Sequence, residues 1–127
     1  MNDVVQRPTT PATLITVAPY NEATPSGAIF GGWIMSQLDH TAGLAGRKIS
    51  NGNVVIASIK ELNFHAALAA GEEFAVYAEL SRRGNSSFNL AISGWAEPET
   101  ACRRIMTADV LLVAVDAEGK SRKLPDA

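Results

Sequence analysis

The chain has 127 residues, within the span of about 100–150 that one domain usually occupies. Hydrophobic residues make up 46% and charged residues 19%, which excludes a disordered chain, poor in apolar residues and high in net charge. The net charge of −2 excludes recognition of nucleic acid through bulk electrostatics.

In chain order, residues 1–12 are polar, carry Pro8 and Pro11, and are expected to form a flexible tail. Residues 13–127 are expected to form a single domain. Thr13–Ala18 is rich in β-branched residues and reads as a first strand. Pro19–Ser26 carries Pro19, Asn21, Pro25 and Ser26 and reads as a loop. Ile29–Ser50 reads as the single long helix, with Ser26 as its N-cap and Asn51-Gly52 as its stop. Ile34, Leu38, Ala42, Ala45 and Ile49 recur at spacings of three and four, as the apolar face of a helix requires.

Four strands are expected after the helix: Val54–Phe64, Glu73–Arg82, Ser87–Ala96 and Arg103–Asp116. Phe74, Val76, Ala78 and Leu80 alternate in the second of these, and Phe88, Leu90 and Ile92 in the third. Gly84-Asn85 between them predicts a hairpin turn. The run Val110–Val115 is apolar on both faces, which predicts a central strand. Short connections between consecutive strands suggest a meander. The fold class is α+β: an antiparallel sheet wrapped around one helix.

The stretch Ala23–Leu38 is the longest without Asp, Glu, Lys or Arg, and contains Thr24, Pro25, Gly27, Gly31 and Gly32. It falls short of the ~20 apolar residues of a membrane span. The N-terminus lacks the basic start and apolar core of a signal peptide. With one cysteine, Cys102, no internal disulfide is available. A cytoplasmic protein is the expectation. Alanine accounts for 20 residues and aromatics for only 6%. So much small apolar surface in so short a chain suggests burial against another copy of itself.

Two features of the helix carry chemistry. Gly31, Gly32, Gly43 and Gly46 all lie within it, although each glycine is less favourable there than alanine by roughly 0.8–1 kcal/mol. Close packing on the sheet, or approach of a ligand to the helix N-terminus, would compensate. Gly32, Ser36, Asp39, Gly43 and Gly46 share one side, so Asp39 stands on a stripe of small residues. On spacing alone, a solvated or capping aspartate is the simpler account. Gly31 and Gly32 fall where helix N–H groups lack intrahelical acceptors and the dipole is positive. Such groups make an oxyanion hole, and a glycine pair for helix–sheet packing explains the same residues.

The segment Gly27-Ala28-Ile29-Phe30-Gly31-Gly32-Trp33-Ile34-Met35-Ser36-Gln37-Leu38-Asp39 resembles the signature of YciA-type acyl-CoA thioesterases of the hotdog fold. Val54-Val55, Asn63-Phe64, Gly71-Glu72, Arg83-Gly84-Asn85-Ser86-Ser87, Trp95, Val113-Ala114-Val115-Asp116, Gly119-Lys120 and Leu124-Pro125 extend the resemblance over nearly all the chain after residue 12. It implies a hotdog fold and hydrolysis of acyl-CoA to free acid and CoA. It also implies that Asp39 is the catalytic carboxylate, acting as general base or nucleophile, and that a backbone N–H of Gly31 or Gly32 polarises the thioester carbonyl. The resemblance further implies a site shared between protomers of a homo-oligomer, a dimer or a trimer of dimers. Many members carry asparagine where this chain has Thr24, and His-Gly-Gly relatives carry histidine where it has Phe30.

CoA carries phosphates, which makes Arg82, Arg83, Lys120, Arg122 and Lys123 candidates for its path, with Ser86 and Ser87 adding hydrogen bonds. An ordinary solvated charge run explains any one of these. His40 points about 100° away from Asp39 and is poorly placed for a dyad. His65 ends a strand and reads as an interface or surface residue. No cofactor beyond the CoA of the substrate, and no metal, is expected from the spacing of Cys102, His40 and His65. No Gly-x-Ser-x-Gly elbow is present. A non-catalytic acyl-CoA-binding module and a hotdog hydratase or dehydratase are the alternative functions.

Overall fold

Helix α1 (Gly31–Ser50) packs on a five-stranded antiparallel sheet of β1 (Leu14–Val17), β2 (Val54–Phe64), β3 (Glu73–Arg83), β4 (Ser87–Ala96) and β5 (Arg103–Ala114). The computed structural model describes residues 6–97 and 102–126. The strands lie in the order β1-β3-β4-β5-β2. Strands β3, β4 and β5 form the expected meander, and Gly84 N–H donates to the Ser87 carbonyl at 2.7 Å in the hairpin turn. Strand β2 departs from the meander: it pairs with β5 and not with β3. The eight residues between β2 and β3, His65–Glu72, are longer than a hairpin loop of two to five residues. They carry the chain across the end of the sheet instead.

The helix is held by the alternation of the strands. Phe74 and Val76 of β3, Phe88, Leu90 and Ile92 of β4, and Met106, Val110 and Leu112 of β5 are at most 2% exposed and form one core with Ile34, Leu38 and Ala42 of α1. Burying one such large side chain contributes roughly 1.5–3 kcal/mol. At Gly46 the helix lies close on the sheet: a Cβ there would stand 3.0 Å from both Leu112 and Val54. Strand β5 is interior, with Leu111 and Val113 half-buried on its outer face, while the middle strand is β4.

Asn51 ends the helix in the left-handed conformation, φ 55° and ψ 43°, and its N–H donates to the Arg47 carbonyl, as the sequence suggested. Arg122 braces the same end. Its guanidinium donates to the carbonyls of Val115, Ser50 and Asn53 and to the Ser50 hydroxyl. Strand β2 is bent by irregularities after Ile56 and after Lys60, with Glu61 at φ 53° in the second. Part of the expected N-terminal tail, residues 1–5, lies outside the described residues. Nearer the sheet, Arg7 pairs with Glu97, and Ala12 packs on Ala75, Tyr77 and Trp95. No helix is long and apolar enough to cross a membrane among the described residues.

Candidate functional site

The approach to the helix is a tight turn. Gly27 N–H donates to the Thr24 carbonyl at 2.9 Å, Thr24 N–H donates to the Ala28 carbonyl at 2.7 Å, and Gly27 adopts φ +91°. The Thr24 and Ser26 hydroxyls lie 2.9 Å apart and bond to each other. The expected N-cap is therefore corrected: Ser26 is used inside the turn, and Phe30 occupies the N-cap position without a side-chain cap. Ala28 and Ile29 run against the β2–β3 crossover, with Ile29 N–H on the Leu68 carbonyl at 2.8 Å and Ala28 bridged to Ala69. The helix starts two residues later than Ile29, at Gly31. The first-turn N–H groups of Gly31 and Gly32 thus point out of the helix with no intrahelical acceptor and with the positive end of the dipole behind them.

A cleft of about 420 Å³ opens beside this helix terminus, lined by Ile29, Gly31, Ile34, Phe64, His65 and Leu68 among others. The Phe64 ring sits 3.4 Å from where a Gly31 Cβ would stand, an ordinary van der Waals contact that places the ring beside the helix start. Gly32 is different: a Cβ there would meet nothing within 4 Å. Packing within the chain gives no reason for its missing side chain. Phe64 is 49% exposed although it is large and apolar. Sequence patterning gives no sign that this strand end is half of a cleft wall.

His65 lines the same cleft, and its Nε2 lies 2.7 Å from the Thr107 hydroxyl. Partial burial, aided by the nearby Arg104 charge, holds its imidazole below the ordinary value and favours the neutral ring.

Asp39 is exposed on α1, and no ion pair found among the described residues includes it. The small-residue stripe is split. Gly46 is buried under the sheet, while Gly32, Ser36 and Asp39 are open to solvent. His40 is exposed on the next position around the helix. Asp39 lies eight residues beyond Gly31, about 12 Å along the axis at 1.5 Å per residue. No single atom can bond to both groups of the same chain, because each contact needs about 3 Å.

The basic candidates gather elsewhere. Arg82 Nε donates to Asn89 Oδ1 at 2.6 Å and its Nη2 to the Ser87 hydroxyl at 3.1 Å. Arg83 donates to the Pro125 carbonyl, and Leu124 N–H donates to the Asn85 carbonyl at 2.8 Å. Ser86 accepts from Ala114 N–H at 2.9 Å through its carbonyl. Lys120 and Lys123 are exposed on the segment after β5. Hairpin and C-terminal segment therefore form one basic end, at the helix C-terminus, where Arg122 grips Ser50. Gly31 stands at the other end of a 20-residue helix, about 30 Å long. Among the described residues, no cluster of three or more His, Cys, Asp or Glu side chains is placed to hold a metal ion.

Residues 26–103 match the family described as the thioesterase superfamily. The chain is similar to the acyl-CoA thioester hydrolase YciA of Salmonella typhimurium, 33% identical over 117 residues that cover 88% of each protein. Among solved structures it is similar to a hexameric thioesterase from Yersinia pestis, with a TM-score of 0.89 and 32% identity over 95% of this chain and 100% of that one. It is also similar to a hexameric hotdog-fold thioesterase of Campylobacter jejuni, with a TM-score of 0.86 and 29% identity over 94% of this chain and 93% of that one.

Proposed function

The chain belongs to the thioesterase superfamily and is an acyl-CoA thioester hydrolase, and from that premise we propose that its working site is built by two protomers. One supplies the helix N-terminus at Gly31 and the other supplies Asp39. The observation that carries this reading is the separation of the uncapped Gly31 N–H from Asp39 by eight helical residues. Two antiparallel or crossing copies can bring these groups to one carbonyl, which the offset of about 12 Å within one copy opposes.

In the proposed reaction the thioester carbonyl oxygen sits at the helix N-terminus, where Gly31 N–H, with Gly32 beside it, receives the developing negative charge. Glycine at position 32 leaves open space for the substrate. Asp39 of the opposing protomer removes a proton from water, which adds to the carbonyl carbon; the C–S bond then breaks, and the CoA thiolate leaves and takes up a proton. A carboxylate attacking directly, with water opening the resulting anhydride, gives the same products. Label found in the Asp39 carboxylate after single turnover in ¹⁸O-labelled water identifies the second route with water opening the anhydride at the Asp39 carbon. Trapping of a covalent acyl-enzyme identifies it where water attacks the acyl carbon. The Thr24 hydroxyl is proposed to help hold water or substrate.

The basic end made by Arg82, Arg83 and Lys120, with Ser86 and Ser87 in the hairpin, is proposed to take the CoA phosphates. Arg122, occupied at four acceptors, supports this end by tying the C-terminal segment to the helix. The homo-oligomer is proposed to be a dimer or a trimer of dimers, a reading supported by the hexameric state of two similar thioesterases. A cytoplasmic location is part of the same reading, consistent with the single exposed free thiol of Cys102.

A panel of acyl-CoA esters with a free-thiol readout tests the function. Wild type releases CoA, and Asp39→Asn lowers kcat by about 10²–10⁴, the usual contribution of a positioned general base. A folded Asp39→Asn protein with wild-type rates would remove Asp39 from the reaction.

A further inference from the structure

The crossover between β2 and β3 forms one wall of the cleft and holds the short segment that leads into α1. Its sequence is His65-Ala-Ala-Leu-Ala-Ala-Gly-Glu72, and only Leu68 within it is fully buried. Leu68, Ala66 and Ala70 pack on the core. Backbone bonds from His65 N–H to the Ile105 carbonyl and from Gly71 N–H to the Ala18 carbonyl anchor its two ends, and side-chain contacts fix the stretch between them. Arg103 donates to both Glu72 oxygens, Nη1 to Oε2 at 3.0 Å and Nη2 to Oε1 at 2.7 Å. The same Nη2 donates to the Ala67 carbonyl at 2.9 Å, and Glu72 Oε1 accepts from Ala69 N–H at 2.7 Å. The crossover in turn holds residues 27–29: Ile29 N–H donates to the Leu68 carbonyl, Ala70 N–H to the Gly27 carbonyl, and Ala28 bridges Ala69. Gly31 follows two residues later.

We propose that Arg103 and Glu72 are positioning residues for the hydrolysis, whose forked pair fixes the crossover and, through it, the Gly31 N–H and the cleft wall. The proposal rests on the reading of Gly31 as the oxyanion donor. A partly exposed ion pair contributes little to global stability, so the effect of removing it is local. The oxyanion contact tightens in the transition state, and its loss therefore appears in kcat rather than KM.

The test measures kcat and KM for one acyl-CoA in wild type, Arg103→Ala, Arg103→Lys and Glu72→Gln, with folding and oligomer mass checked for each. Misplacement of a catalytic group by about 1 Å can lower the rate 10²-fold. The expected result is a loss of about 10- to 100-fold in kcat with KM within about twofold for Arg103→Ala and Glu72→Gln. Arg103→Lys keeps the charge without the fork and falls between. Added guanidinium chloride, far below denaturing concentration, restores part of the Arg103→Ala rate by re-forming the pair with Glu72, while the split between kcat and KM separates positioning from a general loss of structure. Glu72→Gln is nearly isosteric and keeps the proposal testable if Arg103→Ala fails to fold. Folded Glu72→Gln and Arg103→Lys proteins with wild-type kcat overturn the proposal. A wild type that releases no thiol from any ester overturns the thioesterase reading itself, and is seen before any variant is compared.

Discussion

Gly46 and Gly32 lie on one stripe of the same helix for opposite reasons. A Cβ at Gly46 would press on Leu112 and Val54 at 3.0 Å, whereas a Cβ at Gly32 would meet nothing. In Gly46→Ala an overpacking cost of about 1–3 kcal/mol is set against a helix gain of roughly 0.8–1 kcal/mol, and the expected net result is a fall in the denaturation midpoint. Gly32→Ala should leave that midpoint unchanged or raise it while slowing thioester hydrolysis, because the added methyl enters the space assigned to substrate. The stripe itself was legible, since helical spacing alone places Gly32, Ser36, Asp39, Gly43 and Gly46 on one side. The division of the stripe was not, because it depends on where the sheet ends over the helix. Ser26 shows a different limit: a serine ahead of a helical run reads as a cap, but Thr24 two residues earlier holds its hydroxyl.

Element boundaries followed the sequence closely where local chemistry sets them. The turn at Gly84-Asn85, the αL stop at Asn51 and the full span of β2 are cases where turn residues or alternation decide. The place of β2 in the sheet was not legible, because pairing with β5 is a long-range choice made by the crossover. That crossover has its own pH dependence. Arg103, through its hydrogen bonds, holds the Glu72 carboxyl below the ordinary carboxylate value. A carboxyl whose folded pKa is depressed contributes stability in full above its unfolded pKa and loses it as pH falls through the folded value. Loosening of the crossover should therefore begin only below about pH 4.3. Amide exchange in residues 67–70, followed from neutral to acid pH, should show that onset in wild type, and Glu72→Gln should show fast exchange at every pH. Protection in Glu72→Gln equal to wild type at neutral pH would mean that the pair does not hold the crossover.

The whole molecule presents apolar surface that one protomer does not cover. Val55 and Ile59 are 48% and 38% exposed on β2, whose outer edge has no strand beside it among the described residues. Phe30, Met35 and Leu44 are exposed around α1. An 11-residue edge strand with open hydrogen-bonding groups invites pairing with another chain. Ile59→Lys should shift the mass in solution toward monomer and lower activity in step, and an unchanged mass would place the interface elsewhere. Composition pointed to such a partner through its surplus of alanine, while the surface that meets it became visible only once β2 was found at the edge. Complementation tests the shared site most directly. Gly31→Pro removes one N–H at the first helical position, where proline is well tolerated, and Asp39→Ala removes the carboxylate; each variant alone is expected to be nearly inactive. If each site takes Gly31 from one chain and Asp39 from the other, random equal mixing of the two variants during refolding restores about one quarter of wild-type activity. Activity that stays at the average of the two single variants would contradict a site shared between protomers.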